Sequence, residues 1–322
     1  MHGVVINNLF HPVEYSIMET IALGNSGLVS SRLVYGCMRI SGDNSPADWE
    51  KGKQAIRTAI EAGYTHFDHA DVYGGGACET LFAEVLSDTP RLREKLLITG
   101  KCGIRLAGDP NEYDPKRYDF SRQYLIDSVD AILQRLGIAY LDLLLLHRPD
   151  FLFGAKDVAA TLGILKEAGK VNHFGVSNFR PSQLRMLQSH CPMPLVANQV
   201  EINIDNMSAF VDGTLDQCQE LIISPMAWCP LGGVVYPAWG RTLTEEQTGR
   251  IQTELVLQAE RYETEPWIVI LAWLLRHPAG ILPLVGSTRP SRIRAATKSL
   301  ELEYTREDWY RLLQARNGCE VP

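Results

Sequence analysis

The chain has few cysteines and no closely spaced pair of them. Its 322 residues include seven, and no two of these form a Cys-x-x-Cys motif. They are Cys37, Cys78, Cys102, Cys191, Cys218, Cys229 and Cys319. An odd, scattered set argues against a disulfide framework and against a cysteine-based zinc site, so we expect reduced thiols.

Long apolar runs and an excess of positive charge are also missing. No stretch approaches the roughly 18 apolar residues of a membrane span, and residues 1–8 lack the basic and apolar segments of a signal peptide. A formal net charge of −7 provides no basic field for binding nucleic acid or an anionic membrane. We therefore expect a cytoplasmic protein, a monomer or weak homo-oligomer, with neither nucleic acid nor membrane as a partner.

What the sequence does contain is a repeated alternation of strand-like and helix-like segments. Near-continuous apolar runs predict strands at residues 32–36, 64–68, 96–101, 141–147, 171–177, 195–199, 222–228 and 281–286. Segments with helical spacing follow at residues 45–63, 78–87, 121–136, 157–168, 182–190, 212–221, 266–276 and 291–299. Such alternation predicts parallel strands that are covered on both faces.

Eight such units favour an α/β fold closed as a (β/α)8 TIM barrel. The alternative is an open doubly wound sheet, but Gly36-Cys37-Met38-Arg39 stands where that fold usually has Gly-x-Gly-x-x-Gly. A Gly/Asn-rich turn at residues 24–27 predicts a hairpin that could close the barrel bottom, and Thr305 starts a predicted C-terminal helix. We expect a single domain over residues 1–322, with an N-terminal arm at 1–19, the core barrel at 20–300 and the C-terminal helix at 301–322.

Four polar side chains lie at or just beyond the ends of three consecutive predicted strands. They are Asp68, Tyr73, Lys101 and His147. A nearby ammonium lowers the pKa of a phenol, which is the role we predict for Lys101 beside Tyr73, with Asp68 holding the ammonium in place. His147 can donate a hydrogen bond to a carbonyl oxygen. Together these groups are typical of a site that protonates an oxyanion.

Each of these residues also has a simpler structural interpretation, because a single polar residue at a strand end is often only structural. Four of them on one rim favour function. A metal site made from His66, Asp68 and Asp71 is a further alternative. It is disfavoured because Lys101 would bring a positive charge to the same place.

Later strand ends carry groups that suit a flat, phosphorylated ligand. Ser177, Asn178 and Gln199 could hold a carboxamide edge, and Trp228 could either stack on an aromatic ring or simply pack. The turn Gly286-Ser287-Thr288-Arg289-Pro290-Ser291-Arg292 enters a predicted helix with hydroxyls and two guanidiniums, which indicates a phosphate site. The alternative is that both arginines are ordinary surface charges.

The ordered motifs resemble those of the aldo/keto reductase superfamily. They are F-D-H-A-D-V-Y-G, T-G-K-C-G, L-L-L-L-H-R-P-D, G-K-V-N-H-F-G-V-S-N-F, N-Q-V-E and P-L-V-G-S-T-R-P. Within it, D-G-T-L-D-Q and P-M-A-W-C-P-L-G-G resemble the YdhF-like bacterial oxidoreductases. The resemblance implies a barrel that binds NADPH without a Rossmann domain and reduces a small carbonyl compound.

The resemblance also implies individual roles. Tyr73 would be the general acid, tuned by Lys101 and Asp68, and His147 would orient the carbonyl. The implied cofactor-binding residues are Gly36, Met38, Asp68, Ser177, Asn178, Gln199, Trp228, Leu231, Gly232, Gly286, Ser287, Arg289 and Arg292, with no metal.

One departure from the family pattern is Ala295-Ala296, where many members have Glu-Asn against the adenine. Two other functions stay open beside carbonyl reduction. One is a regulatory protein that senses a nicotinamide cofactor on the same fold, and the other is a metal-dependent barrel hydrolase.

Overall fold

The computed structural model describes residues 18–235 and 243–322. Most of the predicted N-terminal arm therefore lies outside the described residues.

A closed barrel of eight parallel strands forms the centre of the molecule. Its strands are β3 (Val34–Gly36), β4 (His66–Asp68), β5 (Leu97–Cys102), β8 (Leu141–Leu146), β9 (Val171–Ser177), β10 (Leu195–Glu201), β11 (Ser224–Trp228) and β12 (Leu282–Val285). Each strand pairs with the next along the chain, and β12 closes the ring by pairing Leu284 with Val34 of β3. The predicted TIM barrel is thus confirmed, and the open-sheet alternative is wrong.

A two-stranded hairpin closes one end of the barrel, as predicted. Its strands are β1 (Thr20–Ala22) and β2 (Val29–Ser31), which pair antiparallel. At the turn the Gly24 amide donates a 2.8 Å hydrogen bond to Ser224 Oγ at the start of β11. Gly24 has φ +53°, and a Cβ there would lie 2.3 Å from the Val196 carbonyl oxygen, so only glycine fits against the strand beginnings.

Helices surround the barrel. They are α1 (Pro46–Glu61), α2 (Ala77–Asp88), α3 (Arg122–Leu136), α4 (Ala155–Glu167), α5 (Pro181–Gln188), α6 (Ser208–Val211), α7 (Thr214–Glu220), α8 (Gly232–Val235), α9 (Glu245–Arg261), α10 (Pro266–Leu275), α11 (Pro290–Ala295) and α12 (Arg306–Asn317). The predicted end signals hold at α1, where the Ser45 side chain accepts from the Asp48 amide, and at α3, where Gly137 is left-handed. No helix within these described ranges is both long and apolar enough to cross a membrane.

Three parts of the element prediction were incomplete. The 17-residue helix α9 was missed, so β11 is followed by two long helices and not by α10 alone. The loop after β5 contains a small hairpin of β6 (Ile104–Arg105) and β7 (Arg117–Tyr118). The predicted helix at 291–299 is split into α11 and a 3₁₀ turn at Ala296–Leu300.

The predicted C-terminal helix is α12, which packs on the outside of the barrel against α9 and α10. The Trp309 ring stacks on Trp273 of α10 with 5.1 Å between ring centres. Leu312 is fully buried, whereas Leu313 is only half-buried.

Candidate active site

The barrel brings the four predicted polar side chains to the carboxyl ends of neighbouring strands. Asp68 ends β4, Lys101 is the fifth residue of β5, and His147 directly follows β8. Tyr73 begins the short 3₁₀ turn Tyr73–Gly76 after β4. Because β4, β5 and β8 are adjacent in the barrel, these side chains share one rim.

Lys101 and Asp68 form a fully buried ion pair. Lys101 Nζ lies 2.6 Å from Asp68 Oδ2, and the two side chains are 0% and 1% exposed. The ammonium also donates a 2.8 Å hydrogen bond to the His69 carbonyl. Burial is the largest single effect and pushes the pKa of Lys101 down, but the charges of Asp68 and Tyr73 and the hydrogen bonds to both side chains together raise that pKa overall. Lys101 is therefore positively charged at neutral pH.

Tyr73 lies over this pair, with Lys101 Nζ 5.0 Å from the centre of its ring. Burial raises the pKa of the phenol to about 12, although the charge of Lys101 opposes that rise. The sequence-based prediction that Lys101 lowers this pKa is right in direction, but burial is the larger effect. The phenol consequently carries its proton at neutral pH.

His147 faces Tyr73 across the rim. Their ring centres are 6.1 Å apart and the ring planes meet at 85°. Burial, followed by the positive charges of Lys101, Arg148 and Lys116, lowers the pKa of His147 well below its usual value. His147 Nδ1 is buried and has no hydrogen-bond partner among the described residues. The ring is thus a neutral imidazole with one N–H to donate.

Asn178 connects three strand ends on the neighbouring side of the rim. Its Nδ2 donates to the His147 carbonyl at 3.1 Å and to Ser177 Oγ at 2.9 Å. Its Oδ1 accepts a 3.0 Å hydrogen bond from Trp228 Nε1. Asn178 has φ +61°, a left-handed conformation that asparagine tolerates better than most residues. The side chain predicted to hold a carboxamide therefore also holds its protein neighbours.

Gln199 joins this group to the buried ion pair. Its Nε2 donates a 2.8 Å hydrogen bond to Asp68 Oδ1, and Ser177 Oγ donates to the Gln199 carbonyl at 2.8 Å. A continuous network thus links Trp228 to Asp68. The structure brings the predicted catalytic residues together with Ser177, Asn178, Gln199 and Trp228.

The predicted phosphate turn lies at the junction of β12 and β3. Tyr35 of β3 donates a 3.0 Å hydrogen bond to the Ser287 carbonyl. The Arg289 side chain is exposed and Arg292 is half-buried. Arg294, on the same short helix, instead pairs with Glu61 of α1 at 2.9 Å. Gly36 and Gly286 face each other here, since a Cβ on Gly36 would lie 3.8 Å from Gly286 Cα.

The remaining predicted cofactor residues lie on the loops after β3 and β11. Met38 is 42% exposed on a 3₁₀ turn at Cys37–Arg39. Leu231 is half-buried, and Gly232 begins α8 with φ +57°. Residues 236–242, which follow α8, lie outside the described part of the chain.

The Ala295-Ala296 departure has a structural explanation for one of its positions. Ala296 is completely buried in the hydrophobic core, whereas Ala295 is half-buried. A long polar side chain at position 296 would have to displace this packing.

Two of the three residues proposed for a metal site, His66 and Asp68, have other partners. Both ring nitrogens of His66 are within hydrogen-bond distance of hydroxyls, Ser30 at 2.8 Å and Thr99 at 2.7 Å. Asp68 is bonded to Lys101 and Gln199. Across residues 18–235 and 243–322 no cluster of three metal-ligating side chains occurs.

Sequence reasoning missed two cations near the site. Arg148 and Lys116 both act on His147 through their charge. Arg148 had a readable signal, because it directly follows His147 in the motif L-L-L-L-H-R-P-D. No sequence signal pointed to Lys116, because its distance from His147 depends on how the loop after β5 folds.

Comparison with known proteins gives the family. The sequence profile described as the aldo/keto reductase family matches residues 32–317. The chain is 39% identical over 311 residues to oxidoreductase YdhF of Escherichia coli K12, covering 95% of this chain and 100% of the relative. It is 39% identical over 307 residues to a 6-dehydroglucose reductase of Agrobacterium fabrum, covering 94% and 100%.

The fold comparison agrees with the sequence comparison. A crystal structure of the thermostable aldo-keto reductase Tm1743, in complex with the inhibitor epalrestat, matches with a TM-score of 0.79. It is 27% identical, and the match covers 92% of this chain and 100% of that chain. The predicted resemblance to YdhF-like oxidoreductases is confirmed, and the chain belongs to the aldo/keto reductase family.

Proposed function

We propose that the protein is an NADPH-dependent oxidoreductase that reduces an aldehyde or ketone to an alcohol, with Tyr73 as the general acid. The observation that carries this proposal is the buried ion pair beneath the protonated phenol of Tyr73. In that pair, Lys101 Nζ lies 2.6 Å from Asp68 Oδ2. A metal-dependent hydrolase would need a set of ligands, and this site instead offers proton donors and an ammonium.

The proton chemistry follows from these neighbours. A substrate carbonyl oxygen placed between Tyr73 and His147 receives two hydrogen bonds, one from the phenol and one from the imidazole. Negative charge that develops on that oxygen strengthens both bonds, and the Tyr73 hydroxyl then gives up its proton. Lys101 stabilises the resulting phenolate, and Asp68 keeps the ammonium aimed and charged.

A nicotinamide cofactor would supply the hydride. Its carboxamide fits a rim that already presents amide and hydroxyl groups at Ser177, Asn178 and Gln199, and its ring fits the half-buried Trp228. For the phosphate end we propose Ser287, Arg289 and Arg292, which combine a hydroxyl with two guanidiniums in one turn. Gly36, Met38, Leu231, Gly232 and Gly286 complete the proposed site.

Two further observations support this assignment. The relative from Agrobacterium fabrum is named for the reduction of a carbonyl compound. All seven cysteines are free thiols, which is consistent with the cytoplasm as the proposed location.

The test is NADPH oxidation, followed by absorbance, with a panel of aldehydes, ketones and quinones. Tyr73→Phe is expected to lower turnover by about two to four powers of ten while NADPH still binds, because only the hydroxyl is lost. His147→Ala is expected to impair carbonyl reduction more than NADPH binding. Tyr310→Phe on the surface of α12 is the matched control, since that phenol lies on the outer helix.

Two outcomes would count against the proposal. Turnover of Tyr73→Phe within threefold of wild type would remove Tyr73 as the acid. Tight NADPH binding with no reduction of any carbonyl would favour the cofactor-sensing alternative.

A further inference from the structure

Two positive side chains, Arg148 and Lys116, act on the site through their charge and belong to neither the ion pair nor the phosphate turn. Arg148 is the residue after His147, and Lys116 directly precedes β7 in the loop after β5. Both are close enough to act on the ionisation of the His147 ring. The loops after β5 and β8 thus each contribute one cation whose charge reaches His147, and Arg148 is the one that directly follows it in the chain.

Arg148 lies over the Trp228 ring and has unused hydrogen-bond donors. It is half-buried, and its guanidinium carbon lies 5.9 Å from the centre of the Trp228 ring. Among the described residues, Arg148 makes no ion pair and no hydrogen bond with another side chain or carbonyl. A guanidinium carries five N–H donors in a rigid fork, so a half-buried one with none engaged can bind a ligand.

The carboxylates near this place are already engaged. Asp150, two residues beyond Arg148, accepts from the Phe120 amide at 3.0 Å and from the Leu152 amide at 2.9 Å. Asp68 is held by Lys101 and Gln199. Lys116 is exposed and has no ion-pair partner in the described ranges. Neither Arg148 nor Lys116 therefore forms an ion pair with a carboxylate of the described residues.

We propose that the carbonyl substrate carries oxygen acceptors close to its carbonyl, either hydroxyl or acid oxygens, and that Arg148 binds them with help from Lys116. This inference rests on the proposed function and names its substrate class. A hydroxylated or acidic aldehyde is accepted, whereas a purely aliphatic aldehyde of equal length leaves the guanidinium without a partner. Arg148 is thus a residue that determines substrate specificity.

The experiment compares matched pairs of aldehydes in steady-state assays with saturating NADPH. Propanal and glyceraldehyde differ in hydroxyls, and butanal and 4-oxobutanoate differ in a carboxylate. We expect kcat/KM to favour the polar member of at least one pair by about tenfold to a hundredfold, as a charge-assisted hydrogen bond provides. A preference in the carboxylate pair should weaken in high salt, and a preference in the hydroxyl pair should not.

Arg148→Met keeps the length of the side chain and removes its donors, so it is expected to abolish the preference while propanal and butanal are still reduced. Arg148→Lys keeps the charge without the planar fork and should restore part of the preference. Lys116→Met should reduce the preference less, because Lys116 is exposed. Arg185→Met, an exposed arginine on α5, is the control and should change nothing.

The outcomes separate this inference from the function on which it rests. Equal kcat/KM within both pairs in the wild type, or an unchanged preference in Arg148→Met, would overturn the inference and leave carbonyl reduction standing. If no member of either pair and no compound of the wider panel is reduced, the proposed function and this inference both fall.

Discussion

Tyr73 is subject to two opposing effects on the acidity of its phenol. Burial disfavours the phenolate, and the ammonium of Lys101, 5.0 Å from the ring centre, favours it. Burial is the larger, so the phenol stays protonated in the neutral range. In the proposed reduction this suits the acid, because an alkoxide is far more basic than a phenolate and takes the proton readily.

Lys101→Met removes the ammonium that favours the phenolate of Tyr73 and keeps the burial that disfavours it. We expect turnover to fall at least tenfold and the high-pH limb that reports Tyr73 ionisation to move to higher pH. The measurement is a pH profile of kcat for carbonyl reduction, with Lys298→Met, an exposed lysine, as the control. A limb at the same pH as in the wild type would mean that Lys101 does not tune the phenol.

Asn178 is predicted to act on two partners at once. Its side chain holds the His147 backbone and the Trp228 indole through hydrogen bonds of 3.1 and 3.0 Å. Asn178→Gly keeps the left-handed backbone and removes these bonds, so kcat should fall by about tenfold or more as His147 and Trp228 lose their fixed positions. Trp228→Phe removes only the hydrogen bond between Trp228 and Asn178 and should lower kcat by a smaller factor.

Measuring NADPH affinity and kcat at saturating NADPH separates a positioning role of Asn178 from a role in cofactor binding. If Asn178 only binds the carboxamide, Asn178→Gly weakens NADPH binding and leaves kcat unchanged at saturating NADPH. If it positions the site, kcat falls even at saturation. The second result is expected.

At the scale of elements, an ion pair between a half-buried arginine and a fully buried glutamate fixes α2 to α3 behind the Tyr73 turn. Arg135 Nε of α3 lies 2.5 Å from Glu79 Oε2 of α2, and Glu79 is 0% exposed. The arginine side chain passes beneath Gly76, where a Cβ would lie 2.7 Å from Arg135 Cδ. Gly76 has φ +92°, so both its backbone and this contact require glycine.

Burial raises the pKa of Glu79 to about 7 in spite of Arg135, and burial also raises the pKa of Asp71 to about 7. Unfolded carboxyls titrate near 4. The folded protein therefore binds these protons more tightly than the unfolded chain. The stability that the protonated Glu79 and Asp71 carboxyls contribute to the fold is fully present below about pH 4 and is lost as the pH rises through about 7.

Arg135→Met should accordingly destabilise the protein in a pH-dependent way. At pH 8.5 Glu79 would be charged, buried and unpaired, which costs about 2–4 kcal/mol in the free energy of unfolding. At pH 5.5 the carboxyl can be protonated and the cost should be smaller. Urea unfolding at the two pH values measures both numbers.

The control is Arg57→Met, which breaks an ion pair of 2.8 Å between exposed side chains of α1 and α2. Exposed pairs contribute about 0–1 kcal/mol, so little change is expected at either pH. Equal destabilisation of both variants at both pH values would show that burial of Glu79 does not matter.

These elements also show what the sequence could predict. Helix α9 had a readable start, because Thr244 and Gln247 form a capping box, and Ile251, Leu255 and Ala259 are its buried face. It was missed because the regular strand–helix count left no place for an extra helix. The hairpin of β6 and β7 has two residues in each strand, which is too short for periodicity to indicate.

Residue contacts across the chain were predictable only where a motif marks them. The strand-end rule placed Asp68, Lys101 and His147 on one rim, because parallel strands of a barrel present their carboxyl ends together. The link between Glu79 and Arg135 spans 56 positions and follows from how α2 packs on α3, which no local pattern encodes. The net pKa of Tyr73 likewise depends on burial, which the spacing of residues cannot give.

At the scale of the whole molecule, barrel closure joins the two halves of the proposed site. The proposed catalytic residues come from β4, β5 and β8 and the turn after β4, and the proposed cofactor residues come mainly from β9 to β12. Because β12 pairs with β3, the turn that carries Ser287 and Arg289 lies next to the first strand of the barrel. A bound cofactor would therefore contact both ends of the barrel sequence and should stabilise the fold as a unit.

Cofactor choice should be visible in this stabilisation. A 2′-phosphate carries nearly two negative charges, and the guanidiniums of Arg289 and Arg292 are proposed to bind it, so we expect NADPH to bind at least about tenfold more tightly than NADH. At equal saturating concentrations, that ratio corresponds to about 1.4 kcal/mol more stabilisation by NADPH, or a Tm higher by about 2–4 °C. Thermal unfolding with each cofactor is the measurement, and the difference in Tm should shrink in high salt because Arg289 is exposed.

Arg289→Ala and Arg292→Ala should each reduce the difference in Tm between NADPH and NADH. Arg294→Ala is the matched control on the same helix, because its guanidinium pairs with Glu61 at 2.9 Å. Equal Tm shifts for NADPH and NADH in the wild type would remove the phosphate site from this turn.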